Sequence, residues 1–366
     1  MERMHEDNHD SHALPSPVSP VAIVTGSYPP DTGGLADHSL LLARALDAMG
    51  CQVEVVVACQ QRSERGVIKE EFKNSRVRCS WSVGDSRRLA THLAVRYRTV
   101  IFQYVPHLYG RAGFAPGAAA FAYFCRRSGV CVIPHLHELS IPWSLSPIHA
   151  VISLLQRLQG AALCAFSKAV VISNRRIADR LRWLPLPVLR GAAVIASGPT
   201  SPPSSLIDSE RRDVRTRWGS PDERFVVVYG LATRGKRYEL ALEALLSVRQ
   251  GGVNARLVFA GNQEAGDAAY CREIRSKAQE FGVAEFVKWT GPLKSREVSE
   301  LLASADCMWN LEAGGITTRN ATAASAFSVG LPVIAFGGHS LDSCFRNGEN
   351  VLIVRMTPES LARATL

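Results

Sequence analysis

The stretch from Gly315 to Ala335 constrains the chain most, because it reads in order as loop, helix, tight turn and buried strand. Gly314 and Gly315 permit backbone geometries that few other residues tolerate. Thr317 and Thr318 offer hydroxyls to the orphan amides of the helix that follows. Ala321, Ala324 and Ala326 keep that helix slim enough to lie against a neighbour, Gly330 ends it, and Pro332 opens the strand at Val333. A helix start presented by a Gly and Thr loop, with Arg319 beside it, suits an anion. The same residues equally suit an ordinary α/β crossover that binds nothing, since such helix starts are common.

The same grammar recurs upstream. Val21–Thr25 is a short continuous apolar run, the mark of a strand buried on both faces. A Gly- and Pro-rich loop follows over 26–34, then Leu40, Ala43, Leu46 and Met49 at helical spacing, closed by Gly50, then a strand from Val53 to Val57. Strands are predicted again at Val100–Val105, Val130–Ile133 and Ala169–Ile172, with helices at Ala118–Phe124 and near Val151–Leu158. Ser197–Ser205 has the composition of a linker, and a charged segment, Asp208–Arg217, leads out of it. A second alternation runs from strand Phe225–Tyr229 through helix Tyr238–Arg249, strand Ala255–Ala260 and helix Ala268–Phe281. It continues with strand Phe286–Trp289, helix Arg296–Ala303 and strand Asp306–Leu311 into the Gly315 stretch. This predicts an α/β protein with two Rossmann-like parallel-sheet domains facing each other across a cleft. The expected division is a disordered tail at 1–20, a first domain at 21–196, a linker region at 197–222 and a second domain at 223–366. A helix opening at Thr357-Pro358 meets the end of the chain two turns in, which suggests a shortened C-terminus.

A net charge of +9 favours anionic partners such as nucleotides, anionic lipid headgroups or nucleic acid, and no nucleic-acid module is recognisable. Nine cysteines without a C-x-x-C pair, several inside apolar runs, fit reduced thiols in a cytoplasmic protein. The first twenty residues lack the apolar core of a signal peptide, and Pro and Gly interrupt every long apolar run. Any meeting with a membrane is therefore expected at its inner surface. Arg87, Arg88, Arg96, Arg98, Arg111, Arg126 and Arg127 make a basic region that is either a solvated face or a contact for anionic lipid.

Several pieces then follow one another in a telling order: Tyr28-Pro-Pro-Asp-Thr-Gly-Gly-Leu-Ala-Asp-His38, Gln103 to Gly113, and His135-Leu-His-Glu-Leu139. After them come Tyr229-Gly-Leu-Ala-Thr-Arg-Gly-Lys-Arg-Tyr-Glu239, Val258 to Asn262, Trp289 to Leu293 and Gly330-Leu-Pro-Val333. From about Val21 onward the chain resembles the retaining glycosyltransferases of the GT-B fold, family 4 (glycosyl transferases group 1), in a subgroup lacking that family's glutamate pair. The resemblance implies a metal-independent transferase with no cofactor, moving sugar from a nucleotide-diphosphate sugar to an acceptor hydroxyl in polysaccharide, glycolipid or glycoside biosynthesis. The second domain would hold the donor and the first a sugar or lipid-linked acceptor.

The resemblance also implies roles. His137 would stand near the sugar, Lys236 on the departing diphosphate, and Arg319 with the helix start near Asn320 on the same charge. Gly33, Gly34, Leu35, Glu138, Gly230, Arg234, Gly315, Ile316, Thr317, Thr318 and Ser325 would surround the substrates. Thr317 and Ser325 occupy the places of the family's two glutamates, with Glu312 the nearest carboxylate, and Arg237 stands where a glycine usually follows the lysine. His135 and His137 alternate onto one face, which raises a metal site, but no third ligand is visible in the sequence. Two rivals stand beside the transferase: a nucleotide-sugar epimerase or hydrolase on the same fold, and a non-catalytic degenerate transferase that binds nucleotide or a partner.

The chain contains no Asp-x-Asp motif to hold a bridging divalent cation. Transfer is expected to persist in excess EDTA; complete loss of activity restored by Mn²⁺ would overturn this.

Overall fold

The computed structural model describes residues 20–31, 33–59, 72–141, 146–181, 187–262 and 264–366. The expected tail at 1–20 lies, apart from Pro20, outside the described residues. The strands form two wholly parallel sheets. The first contains β1 (Val21–Thr25), β2 (Val53–Cys59), β3 (Asn74–Arg78), β4 (Thr99–Tyr104), β5 (Cys131–Leu136), β6 (Val171–Ile172) and β7 (Ala193–Val194), in the order β3-β2-β1-β4-β5-β6-β7. The second contains β8 (Arg224–Tyr229), β9 (Ala255–Ala260), β10 (Val287–Trp289), β11 (Cys307–Asn310), β12 (Val333–Phe336) and β13 (Leu352–Val354), in the order β10-β9-β8-β11-β12-β13. Strand order reverses once in each sheet, between β1 and β4 and between β8 and β11. Loops leaving the carboxyl ends of such neighbours part in opposite directions and open a crevice.

The helices of the first domain are α1 (Gly34–Ala48), α2 (Val83–Ala94), α3 (Pro116–Arg127), α4 (Pro147–Ala165), α5 (Arg175–Asp179) and α6 (Pro187–Arg190). The second has α7 (Asp208–Thr216), α8 (Tyr238–Gln250), α9 (Glu264–Glu280), α10 (Ser295–Ser304), α11 (Ala321–Ser328) and α12 (Pro358–Thr365). Helices cover both faces, so the central strands are apolar at consecutive positions: every residue of β1 is buried, as are Phe225–Val228 of β8. Thr357 caps α12 by accepting from the Ser360 amide at 3.2 Å, as its sequence predicts.

The edge strands and one helix escape the apolar pattern; β7 and β13 have no buried residue. Strand β3, Asn-Ser-Arg-Val-Arg, is an edge strand with no fully buried residue, so it has no continuous apolar run to show. Helix α2 buries only a narrow stripe of Ser86, Leu89, Ala90 and Leu93. Helix α4 is longer than expected and turns two glutamines inward. Gln156 accepts from the Ile141 amide at 2.7 Å and donates to the Ala112 carbonyl at 2.6 Å, while Gln159 donates to the Tyr104 hydroxyl at 2.7 Å. By length and apolarity α4 meets the criteria for a membrane span, but its inner face is built into this domain.

The segment 195–207 joins the sheets as a strap along the second domain. The Ser197 amide donates to the Thr318 carbonyl at 2.8 Å, and the Thr200 amide to the Ser325 hydroxyl at 2.9 Å. Across the cleft, the Thr318 hydroxyl donates to the Ser173 carbonyl at 2.9 Å, and Arg176 donates to the carbonyls of His339 and of Leu341, the latter at 2.9 Å.

The loop between β11 and α11 is seated on the backbone of 338–342. The Ser340 amide donates to the Gly314 carbonyl at 2.6 Å and the Asp342 amide to the Ile316 carbonyl at 3.2 Å. A Cβ on Gly338 would lie 2.5 Å from the carbonyl carbon of Gly314. Gly338→Ala is therefore expected to cost about 1–3 kcal/mol by overpacking, measured by urea unfolding, and to displace the 314–319 loop; a variant as stable as the wild type would refute this seating.

Candidate active site

In the second domain the site grows from the loops that leave β8 and β11. Gly230, at φ 118°, turns the chain out of β8 in a conformation that favours glycine. The space a Cβ would take there holds the Lys236 amine at 2.8 Å and the Thr322 methyl at 3.2 Å. Lys236 thus folds back over the end of the strand, against the first turn of α11. It forms no salt bridge among the described residues; burial pushes its pKa down, and the charge of Glu312 acts in the opposite sense. Arg237 sits in the left-handed region at φ 47°, ψ 48°, which explains why glycine suits this position, and its side chain is held by Glu239 at 2.6 Å. Arg234, expected to help Lys236, turns away: it pairs with Glu273 at 3.1 Å and lies over the Tyr270 ring at 5.1 Å.

The expected capping of α11 by Thr317 and Thr318 does not occur. The Thr317 hydroxyl donates to the Asn320 side chain at 3.1 Å, and the Thr318 hydroxyl turns to Ser173 and to the Asp342 carboxylate, both at 2.9 Å. No side chain caps α11; the Ala321 amide donates to the Arg319 carbonyl at 2.9 Å, and the Thr322 and Ala323 amides have no hydrogen-bond partner among the described residues. Gly315, at φ 93°, and Ile316, fully buried in the core, position the loop rather than line the cleft with side chains. Ser325, expected at a ribose, is fully buried; its hydroxyl donates to the Ala321 carbonyl at 3.0 Å and accepts from the Thr200 amide.

In the first domain Gly33 and Gly34 open α1, with open space where either Cβ would point. One turn later His38 meets His135, at the end of β5, and His137 just beyond it. The ring centroids lie 4.9 Å apart for 38 and 135, 4.7 Å for 38 and 137, and 4.1 Å for 135 and 137. His137 Nε2 is 2.6 Å from Gln103 Oε1; an amide oxygen only accepts, so the imidazole donates there and keeps its lone pair on Nδ1. Burial lowers all three imidazole pKa values, His135 to about 3 and His137 well below its ordinary range, with neighbouring imidazoles adding to both. His38 and Gln103 were missed in the sequence. The signal for His38 was its place one helical turn after Gly34, which brings it back to the side of the helix that starts at the loop.

A cavity of about 700 Å³ separates the two sides, lined by Gly34, Leu35, His38, His137 and Glu138 from one domain and by 195–200, Arg319 and Ala321 from the other. Arg319 donates to Glu138 at 2.8 Å across the cleft, both side chains being 40% exposed. Beyond that pair a smaller cavity of about 300 Å³ is lined by Arg176, Arg180 and Thr317.

Two Rossmann-like domains opposed across such a cleft are the GT-B fold, and a glycosyltransferase domain model matches part of each. Residues 210–365 match the family model of glycosyl transferases group 1, and residues 20–143 match that of the starch synthase catalytic domain. In structure the chain is similar to Anabaena HepE in complex with UDP and glucose, at 14% identity and TM-score 0.68 over 94% of this chain and 88% of that one. Sucrose-phosphate synthase from Thermosynechococcus elongatus is as similar, at 15% identity and TM-score 0.68 over 95% and 88%. The UDP-GlcNAc 2-epimerase of Methanocaldococcus jannaschii shares the architecture at 11% identity and TM-score 0.53 over 94% and 91%. At these identities the likeness is one of fold. No curated protein matches the sequence.

The neutral imidazoles make stability depend on pH. The unfolded chain takes up protons below about pH 6.5, whereas folded His135 resists protonation down to about pH 3. This stability is fully present above the unfolded value and lost as pH falls below it, by about 1.4 kcal/mol per pH unit for each excluded proton. The urea midpoint is expected to fall from pH 7 to pH 5, and less steeply in His135→Gln; equal slopes in the two proteins would contradict the assignment.

Proposed function

We propose that this protein is a retaining, metal-independent transferase of family 4 that moves a sugar from a nucleoside-diphosphate sugar to an acceptor hydroxyl. One observation carries the reading: the Lys236 amine, Gly230 and the uncapped start of α11 converge at the switch point of the second sheet. Ala321 at that helix start shares the cleft with Gly34 and His137 of the opposite domain. Residues 223–366 form the donor domain in this reading, 21–196 the acceptor domain, and 197–222 the linker region, whose helix α7 is held to the donor domain by Arg211 and Arg215 on the Ser304 carbonyl.

A leaving diphosphate would meet a half-buried lysine and the uncapped Thr322 and Ala323 amides of the helix start, so its developing charge is stabilised by groups that need not reorganise. The bond between the anomeric carbon and the diphosphate oxygen breaks, and the acceptor hydroxyl attacks from the same face. The departing oxygen takes the hydroxyl's proton, so no enzyme nucleophile is required. His137, neutral and oriented by Gln103, presents Nδ1 as an acceptor for a sugar hydroxyl. With Thr317 and Ser325 at the glutamate positions, no carboxylate there holds the donor. Charge recognition falls to Lys236 and to Arg319, which would exchange Glu138 for the diphosphate.

The UDP and UDP-glucose complexes of the similar HepE structure make a uridine diphosphate sugar the first donor to test. In this reading the enzyme is cytoplasmic and meets the inner face of an anionic membrane; of that, contact with an apolar partner such as a lipid-linked acceptor is supported by the outer face of α4. Ile148, Val151, Leu154, Leu155 and Leu158 are exposed there in one helical stripe. Polysaccharide or glycolipid synthesis is the setting that fits such an acceptor.

Lys236→Ala is expected to lower kcat on the order of ten- to a thousandfold, as for other lost electrostatic donors, while circular dichroism stays native. Arg319→Ala should weaken UDP far more than uridine in calorimetric titration, and Thr317→Ala should cost UDP about 0.5–1.5 kcal/mol. If Arg319→Ala binds both ligands as the wild type does, the loop is a crossover without a ligand. Donor consumed without acceptor would instead favour the epimerase or hydrolase reading.

A further inference from the structure

We propose that His38, His135 and His137 form a binding site for a borderline transition-metal cation of the zinc(II) class, open on its fourth side to the cleft. The three imidazoles come from separate positions of the fold, the second turn of α1, the end of β5 and the residue after that strand. One ring nitrogen from each lies within 4.8 Å of the other two. His135 is 5% exposed, and its Nε2, like that of His38, is buried with no hydrogen-bond partner among the described residues. A buried polar atom left unpaired costs about 1–3 kcal/mol. Two such nitrogens on rings whose centroids lie 4.9 Å apart, with a third imidazole against both, are accounted for together by one shared electron-pair acceptor.

The donor set selects the ion. Three nitrogens and no carboxylate suit zinc, whereas magnesium and calcium require oxygen ligands. Zinc–nitrogen bonds of about 2.0–2.1 Å in a tetrahedron place ligand atoms about 3.4 Å apart. The ligand atoms lie within 4.8 Å of one another, so binding would draw each pair together by up to about 1.4 Å. His137 has the outer anchor that ligating histidines use, its Nε2–H held by Gln103 at 2.6 Å, which directs Nδ1 to the metal. His38 and His137 also line the large cavity, which leaves the fourth position to water.

The consequence for catalysis rests on the transferase reading. A metal on Nδ1 takes the lone pair that His137 would offer to the sugar, so zinc acts here as an inhibitor and not as a participant. The binding test is independent of activity. Full-length protein stripped with EDTA and then freed of it by gel filtration is titrated with Co²⁺ and followed by visible absorption. The tail histidines are competing ligands, so the titration is run on His5→Ala/His9→Ala/His12→Ala beside the wild type. One equivalent of Co²⁺ with the intense bands of a tetrahedral site, displaced by one equivalent of Zn²⁺, is expected in both proteins. Those bands should vanish in His38→Asn and in His135→Asn, with circular dichroism reporting that each variant is folded. Bands that survive in folded His38→Asn, that disappear with the tail histidines, or that never form would overturn the site. If the bands behave as expected while transfer is indifferent to zinc, the site stands and the role given to His137 in transfer falls.

Discussion

The hydroxyl of Thr318 is shared between the Ser173 carbonyl of the first domain and the Asp342 carboxylate of the second, and the geometry of the cleft hangs on that joint. Asp342 also accepts from the Thr318 amide at 2.7 Å and faces Arg176 at 3.7 Å. The loop carrying Arg319 and the start of α11 is thereby clamped from both sides. Ser197 and Thr200 tie the interdomain strap to the same loop and helix, so the chain crossing between domains runs along the site and does not bypass it. Such hydrogen bonds are individually modest. Their effect is to place charged and neutral groups opposite one another with little freedom.

The two walls of the cleft differ in electrostatic character. The second domain brings Arg319 and the start of α11, with the half-buried Lys236 amine close to the first turn of that helix, which favours an anion. The first brings neutral imidazoles, because burial among one another makes protonation unfavourable. A molecule with a diphosphate at one end and a neutral sugar at the other fits that division. Arg319 and Glu138 close the gap between the walls as an exposed ion pair, an interaction weak enough to be exchanged for a ligand.

Most of the fold was legible because buried parallel strands must be apolar at every position, a demand visible in single runs such as Val21–Thr25 and Phe225–Tyr229. Edge strand β3 and the narrow-faced α2 were silent because an element buried on one side carries half that signal. Motif order singled out Lys236, Gly230, Arg319 and His137; the structure places Arg319 and His137 in the lining of the large cavity and the Lys236 amine at Gly230 beside Thr322. The cap expected of the two threonines and the help expected of Arg234 for Lys236 do not form, and the Ser325 hydroxyl is engaged within the protein, for one reason. A sequence names the polar group that is available and not the neighbour that claims it first.

The sequence by itself determined two Rossmann-like sheets and the loops at their carboxyl ends, since periodicity and glycine placement are local properties of the chain. Only the tertiary structure decided which hydroxyls remain for a ligand, because Ser173, Thr200 and Asp342 reach Thr318 and Ser325 from 24 to 145 residues away. It alone assembled the third histidine, since α1 and β5 are neighbours only once β1 and β4 have paired between them. The physical reason is the same in both cases. Burial and hydrogen-bond competition are settled by what packs alongside, and packing is not written in the spacing of residues along one segment.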